Sequence, residues 1–429
     1  MTCTAHKFGG ASVRDAEAIR RLETLLSSQL GPRGKAIVVV SAMGKTTNAL
    51  EDIWRAEGDR RASLWKECVN EHMRVAEELS LSRAIQQQLQ LRMQTCWEEA
   101  HRIENDPSIA DASEKASATY DAFVAAGELA STTLVEGWLN ASGMSTRWWD
   151  VRETLKTMGP HRFARVEEAN LEQWGKPLRE VFMGTERVQV VVTQGFIGRH
   201  ENGRTSTLGR EGSDYSAALM AVACSAASVT IWKDVPGMMN ADPKRHLDAV
   251  TVPKVDHAEA LELSYYGASV IHPRTVKPLQ HVGIPLHVKS FLEPNGPSTC
   301  IDAFPGLVPE VPMFIWRDNQ TWMEVHTADG SFLVEDHLTA LFGALDQAGI
   351  HVRLMQQSAT HFGLLIDRDD ALTTNFTTLL GAGFWVDSAH GLTLLTVRHG
   401  NADVLERLTA SRVVKLEQRS GSTWRRVLE

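Results

Sequence analysis

Several short segments place cations, glycines and hydroxyls where a phosphorylated ligand could be held. Lys7-Phe-Gly-Gly-Ala-Ser12 sets a cation and two glycines, Gly9 and Gly10, at the end of a short apolar run and before an amphipathic stretch. Glycines let backbone N–H groups approach a phosphate, a following helix N-terminus attracts anions, and Lys7 adds a full positive charge. The same residues equally suit a plain strand-to-helix turn with a surface lysine. Ser41-Ala-Met-Gly-Lys-Thr-Thr47 ends like a P-loop, but that motif needs a glycine five positions before Gly44, where the chain has Val39. The Walker reading fails, leaving Ser41 and Thr47 as hydroxyls suited to ligand contact or to a turn or cap.

The segment over 205–216 is richer. Gly209 and Gly212 form a loop that presents Arg210, Ser213 and Asp214 just before a small-residue helix. An arginine there can grip a carboxylate with two parallel hydrogen bonds, or it can be a solvated charge. Asp234-Val-Pro-Gly237, with Asp242-Pro243 downstream, follows a strand ending at Lys233. It fits a stiffened loop around a base and ribose, or a β-turn built on Pro236-Gly237.

Composition removes several function classes. With 44 Lys and Arg against 53 Asp and Glu the net charge is -9, so no basic surface invites nucleic acid. The N-terminal segment has no basic stretch followed by an apolar run, and no run of about 18 apolar residues occurs, so the expectation is a cytoplasmic chain without a membrane partner. The 5 cysteines are scattered and never form C-x-x-C, the pattern of reduced thiols. The 16 histidines include no H-E-x-x-H, and no protein-borne metal site is expected.

The elements that must position these residues alternate. A strand to Phe8, a helix over 12–30 with Ser12 as a candidate N-cap, and the apolar strand over 36–41 make a β-α-β opening with a sheet buried on both faces. Residues 48–140 read as helical with Pro107 interrupting, and further core strands fall near 187–193 and 228–232. Strands alternating with helices imply an α/β sandwich. Prolines 305, 309 and 312 break regular structure, after which a β-α-β-β-α order suggests a ferredoxin-like α+β module followed by a shorter second one. The expected domains are 1–300, a linker over 301–312, and 313–429.

In this order and spacing the segments resemble the aspartate kinases of the amino-acid kinase superfamily, over residues 5–300. The signatures are Lys7-Phe-Gly-Gly-Ala-Ser, Gly127-Glu128-Leu, Gly209-Arg-Glu-Gly-Ser-Asp-Tyr-Ser-Ala-Ala and Asp234-Val-Pro-Gly with Asp242-Pro. The resemblance implies a three-layer kinase sandwich followed by ACT-type modules. It implies ATP with Mg2+, L-aspartate as acceptor, and 4-phospho-L-aspartate as product at the start of lysine, threonine and methionine synthesis. Position by position it implies that Lys7 contacts the transferring phosphate within a loop of Phe8, Gly9 and Gly10. Arg210 would hold the α-carboxylate; Glu128 and Thr47 would contact the amino acid; Ser41 and Ser213 would line its site; Asp214 would organise the reacting centre. Lys233 and Asp234 would begin the nucleotide loop, with Met239, Lys244 and Ser269 at later ATP-contacting positions.

The chemistry agrees with those roles. A β-carboxylate with a pKa of about 3.9 is already ionised at neutral pH, so the nucleophile needs no general base. Asp214 is therefore expected to orient Lys7 or the metal shell without abstracting a proton. The chain departs from the family pattern at Ala11, in place of Thr, and at Met239, in place of Tyr. It also has Ser269 where many relatives have Lys, and Thr157-Met158 for Thr-Asp. The C-terminal part resembles an ACT pair with its second module reduced. Gly330-Ser-Phe-Leu333 interrupts the usual Gly-Phe-Leu, leaving a lysine or threonine effector or a bare dimerisation module as alternatives. ACT modules imply a homodimer or higher homo-oligomer. No dehydrogenase domain follows residue 429, so a monofunctional kinase is expected. The competing readings are another carboxylate kinase of the superfamily and a non-catalytic amino-acid sensor.

Overall fold

Val-rich runs with no polar alternation make strands buried on both faces, and Ala36, Ile37, Val38, Val39 and Val40 are all 0% exposed. The computed structural model describes residues 3–31, 34–184, 187–209, 211–268 and 270–429. They form two units: 1–238 with 251–264 and 269–309, and 239–250 with 265–268 and 310–429. No helix among the described residues is long and apolar enough to cross a membrane.

The first unit is built on a sheet of β1 (Cys3–Phe8), β2 (Lys35–Val40), β3 (Thr146–Trp149), β6 (Val190–Gln194), β9 (Val229–Lys233), β10 (Lys254–Asp256), β11 (Leu286–Ser290), β12 (Ser298–Asp302) and β13 (Leu307–Val308). The order is β13-β10-β12-β11-β9-β1-β2-β6-β3. From β11 to β3 every neighbouring pair is parallel. A smaller sheet of β4 (Lys156–Met158), β5 (Arg165–Val166), β7 (Ile197–His200) and β8 (Thr205–Thr207) flanks the functional loops. The long helix Ala112–Ala141 is lined with Ala, Gly, Ser and Thr and is buried around its circumference, so it serves as a core helix.

Register fixes which way the residues of β1 face. Lys7 lies opposite Ile231 and Phe8 opposite Trp232. Partners across a parallel pair share a face and residues two apart share a face, so Lys7 and Lys233 point one way. Phe8, His6 and Trp232 point the other way, and Phe8 stacks on Trp232 with ring centroids 6.0 Å apart.

Two expectations change at the N-terminus of the first helix. The helix runs Ala16–Gln29, and its cap is Asp15, whose Oδ1 accepts from the Ala18 N–H at 2.8 Å. Ser12 lies instead inside a 3-10 turn, Gly10–Val13, with its hydroxyl buried and unpartnered. Within the stretch expected as linker, 301–302 and 307–308 extend the sheet instead: β12 continues to Asp302, and β13 pairs antiparallel with β10.

The second unit is a sheet ordered β15-β16-β14-β17-β19-β18, from β14 (Met313–Thr327), β15 (Val352–Gln357), β16 (His361–Asp367), β17 (Phe384–Arg398), β18 (Val414–Ser420) and β19 (Thr423–Leu428). The two expected ferredoxin-like modules share it, because β14 and β17 are each 15 residues long and pair along most of their length. A bulge between Arg317 and Gln320, with Asn319 at φ 53°, bends the strand where one module passes into the next. The first half of β17 carries no clear strand signal in the sequence, because Phe384-Trp-Val-Asp-Ser-Ala-His-Gly has no clean alternation, and it has only one neighbouring strand, β14.

The loops after β1 and β2 touch at Gly10. The Gly44 N–H donates to the Gly10 carbonyl at 3.0 Å. A Cβ at Gly10 would sit 2.7 Å from the Gly44 carbonyl oxygen and 2.9 Å from that of Ala42, whereas a Cβ at Gly9 would meet only the Lys7 Nζ at 3.3 Å. Gly10→Ala is expected to destabilise the chain by about 1–3 kcal/mol, seen as a lower urea midpoint at unchanged slope. Gly9→Ala should leave the midpoint nearly in place; equal losses would show that the close approach at Gly10 does not set the loop geometry.

Candidate functional site

The carboxyl ends of β1, β2, β6 and β9 open on one cleft of about 610 Å3, the edge at which open parallel sheets place ligands. Its floor is the N-terminus of the helix Gly212–Cys224, whose dipole favours anions. Gly195 admits that helix end, since a Cβ there would lie 2.6 Å from the Ser213 Cβ.

Asp214, in the first turn of this helix, is nearly inaccessible, with 3% of its side chain exposed. Its Oδ1 lies 2.6 Å from the Lys7 Nζ and its Oδ2 lies 3.1 Å from the Lys233 Nζ. Burial alone would raise its pKa; the charges and hydrogen bonds of Lys7 and Lys233 outweigh that and hold it below the ordinary carboxylate value. The carboxylate is thus ionised and spans two lysines carried by adjacent strands.

Glu128 has the opposite environment. It projects from the middle of Ala112–Ala141 and is 2% exposed. Its Oε1 accepts from the Ala42 N–H at 3.2 Å, while its Oε2 is buried without a partner. Burial pushes its pKa up to about 8, against the smaller opposing effects of its backbone hydrogen bonds and the Lys7 charge. An orphaned buried oxygen facing a cleft is a vacant acceptor for a cationic or N–H-bearing ligand. The helix reaches the Ser41 loop because Gly127 leaves room for it and the Ser131 hydroxyl donates to the Ser41 carbonyl at 2.8 Å.

The cleft is lined by Lys7, Gly10, Ser41, Thr47, Glu128, Ser213, Asp214 and Lys233, so the structure brings together these sequence-selected residues. Lys233, expected to begin the nucleotide loop, is also the second cation on Asp214. The Phe8 side chain is 0% exposed and turned away, so only its backbone can serve the site; its carbonyl accepts from the Ser41 N–H at 3.0 Å. Asp234 is exposed and is not part of the lining. Met239 and Lys244 lie in the 239–250 segment, which groups with the second unit. Arg210 and Ser269 lie outside the described residues.

Sequence reading missed Tyr120, Arg162, Phe196 and Thr207, which also line the cleft. A usable signal exists only for Phe196, which follows Gly195 directly at a strand end. Non-glycine residues with left-handed backbone cluster here: Arg162 at φ 70°, Phe196 at 68° and Glu211 at 54°. Such strain gathers where a structure must aim side chains at a ligand. Among the described residues no group of three or more His, Cys, Asp or Glu side chains is placed to hold a metal ion.

An anion-favouring helix end, a lysine pair on one carboxylate and a protonated glutamic acid suit phosphoryl transfer to a charged amino-acid-like acceptor. Comparisons with known proteins agree. The profile of the amino acid kinase family matches residues 2–290. The lysine-sensitive aspartokinase 3 of Escherichia coli is 32% identical over 378 residues, covering 87% of this chain and 80% of that protein. A chloroplastic bifunctional aspartokinase/homoserine dehydrogenase of Daucus carota is 30% identical over 84% of this chain, which spans only 39% of that longer protein. The crystal structure of E. coli aspartokinase III in complex with aspartate and ADP superposes with a TM-score of 0.79 at 27% identity, covering 99% of this chain and 96% of that one. The chain belongs to the amino acid kinase family and, within it, to the aspartokinases.

Proposed function

We propose that the cleft transfers the γ-phosphoryl group of ATP to the β-carboxylate of L-aspartate, and that the Lys7–Asp214–Lys233 arrangement is what carries the reaction. The observation supporting this most is the pair of lysines held 2.6 and 3.1 Å from one buried, ionised carboxylate. The reaction brings two anions together, and two unit charges 4 Å apart repel by about 4 kcal/mol at an effective dielectric of about 20. Lys7 offsets this by facing the transferring phosphoryl group, and Lys233 by facing the leaving side. Asp214 fixes both ammonium groups before the substrates arrive, so little reorganisation is left for the transition state. Because both of its oxygens are already engaged by lysines and its pKa is depressed, Asp214 is a positioning group and not a base. The acceptor carboxylate is ionised and needs none.

Mg2+ would enter with the nucleotide and would supply charge neutralisation at the phosphates, with no metal-ligating cluster asked of the protein's described residues. That fits a cleft whose buried aspartate is committed to lysines. Ser41, Ser213 and Thr47 line the acceptor side, Gly10 lets the first loop close on the phosphates, and Glu128 receives the substrate ammonium. The roles of Arg210, Asp234, Met239, Lys244 and Ser269 rest on the family likeness alone. The C-terminal unit takes the part of the regulatory region, with lysine as effector, in line with the lysine-sensitive E. coli relative.

Coupled ADP release with hydroxylamine trapping tests the whole reading. L-Aspartate with MgATP is expected to give hydroxamate, glutamate none, and added lysine is expected to slow the rate. Nucleotide binding without aspartate hydroxamate would instead support a non-catalytic sensor.

Glu128 supplies a second test, with a definite sign. Its folded-state pKa of about 8 stands above the ordinary 4.5, so the free protein holds a proton there at pH 7. Its contribution to stability is therefore full below pH 4.5 and is lost as pH rises towards 8. An arriving ammonium reverses the preference and expels the proton. Calorimetric titration of aspartate at pH 7 should show proton release, read as a binding heat that varies with buffer ionisation enthalpy, and Glu128→Gln should abolish that variation. Buffer-independent heat in the parent protein would contradict the assignment.

A further inference from the structure

The cleft holds a guanidinium that none of these roles uses. Arg162 lines it, and among the described residues its side chain makes no ion pair and no hydrogen bond. Its guanidinium carbon stands 4.1 Å from the centroid of the Tyr120 ring and 5.5 Å from that of Trp54. Contact with an aromatic ring restrains a guanidinium while leaving N–H groups available to a ligand. The Tyr120 ring is held in turn, its hydroxyl donating to Glu51 Oε1 at 2.8 Å.

The backbone beneath is held at some cost. Arg162 has φ 70°, a region that side-chain-bearing residues rarely adopt. Its N–H donates to Asp121 Oδ2 at 3.0 Å, and the same carboxylate accepts from His161 Nδ1 at 2.8 Å and from the Thr207 hydroxyl at 2.6 Å. The side chains of Asp121 and His161 are 0% and 2% exposed. A buried, fully engaged carboxylate thus pins an otherwise strained turn that presents to the cleft a cation unpaired among the described residues.

We propose that Arg162 is a specificity-determining residue that takes the α-carboxylate of the acceptor amino acid, and that Asp121 and His161 are positioning residues acting through it. The inference rests on the aspartate-kinase reading above and deepens it. The β-carboxylate must lie at Lys7 to meet the phosphoryl group, and Glu128 suits the ammonium. The α-carboxylate remains, and a guanidinium held over an aromatic ring, without a hydrogen bond among the described residues, can match it with two parallel N–H···O bonds. It adds to Arg210, to which the family likeness gives the same carboxylate.

Steady-state kinetics of Arg162→Gly and Arg162→Lys test this. Glycine removes the guanidinium and relieves the left-handed backbone together, so its melting temperature should stay within about 3 °C of the parent. The KM for L-aspartate should rise about tenfold or more while that for ATP stays within about twofold, with lysine intermediate. In the Arg162→Gly background, Asp121→Asn should add no further rise, because it acts through Arg162. An unchanged aspartate KM, or aspartate and ATP constants rising together, would overturn the specificity role. An equal effect of Asp121→Asn in both backgrounds would overturn the positioning role. If the parent protein itself forms no aspartate hydroxamate, the underlying reading fails first and takes this one with it; a parent that does so while Arg162→Gly leaves its KM unchanged sinks this inference alone.

Discussion

A carboxylate stripped of water and held between two lysines is the interaction on which the rest of the site depends. Asp214 is available for it because the Gly212–Cys224 helix begins at the sheet's carboxyl edge. Lys7 and Lys233 are available because β1 and β9 are parallel neighbours whose register turns both side chains to one face. Removing one partner from such a cluster leaves an uncompensated buried charge, a loss of about 3–5 kcal/mol in comparable cases. The arrangement therefore persists only if both strands and the helix are in place, which ties assembly of the first unit directly to assembly of its chemistry.

Two buried acids diverge within this one cleft, and the divergence assigns their work. Asp214 sits among cations and stays ionised; Glu128 sits on an apolar helix with one backbone donor, and its proton is held up to a pH of about 8. Pairs of titratable groups pushed apart in this way mark division of labour in an active site. In the proposed reaction the ionised acid organises positive charge for the phosphoryl group, and the protonated one ionises when the substrate ammonium arrives. On that proposal no proton moves in the chemical step, and catalytic power lies in placing charge.

Much of this was legible in the sequence, for local reasons. Lys7-Phe-Gly-Gly, the Ser41 loop and Ser213-Asp214 could be picked out because each stands at the end of an apolar run or beside a glycine that breaks a pattern; Glu128, inside a long helical run, is reached only through the family resemblance. Arg162, Tyr120 and Thr207 could not be picked out. They reach the cleft from a small sheet and a helix interior, and only long-range packing brings them beside Lys7. The Asp15 cap was missed because Ser12 offered a competing one three residues earlier, and tertiary contacts at Gly10 forced a 3-10 turn there. In the second unit the helices and most strands were readable, but not the continuity of β14 and β17, since a strand crossing a bulge changes face without announcing it in its residues.

The central claim is that Lys7 and Asp214 act as one unit, and a double-mutant cycle in the aspartate-dependent phosphoryl-transfer rate addresses it most directly. Lys7→Met and Asp214→Asn are each expected to lower kcat by about a hundredfold or more, and the double variant should be little worse than the poorer single one. A double variant whose loss equals the product of the two single losses would mean that the residues act independently, and the account of a preset ionic clamp would be wrong.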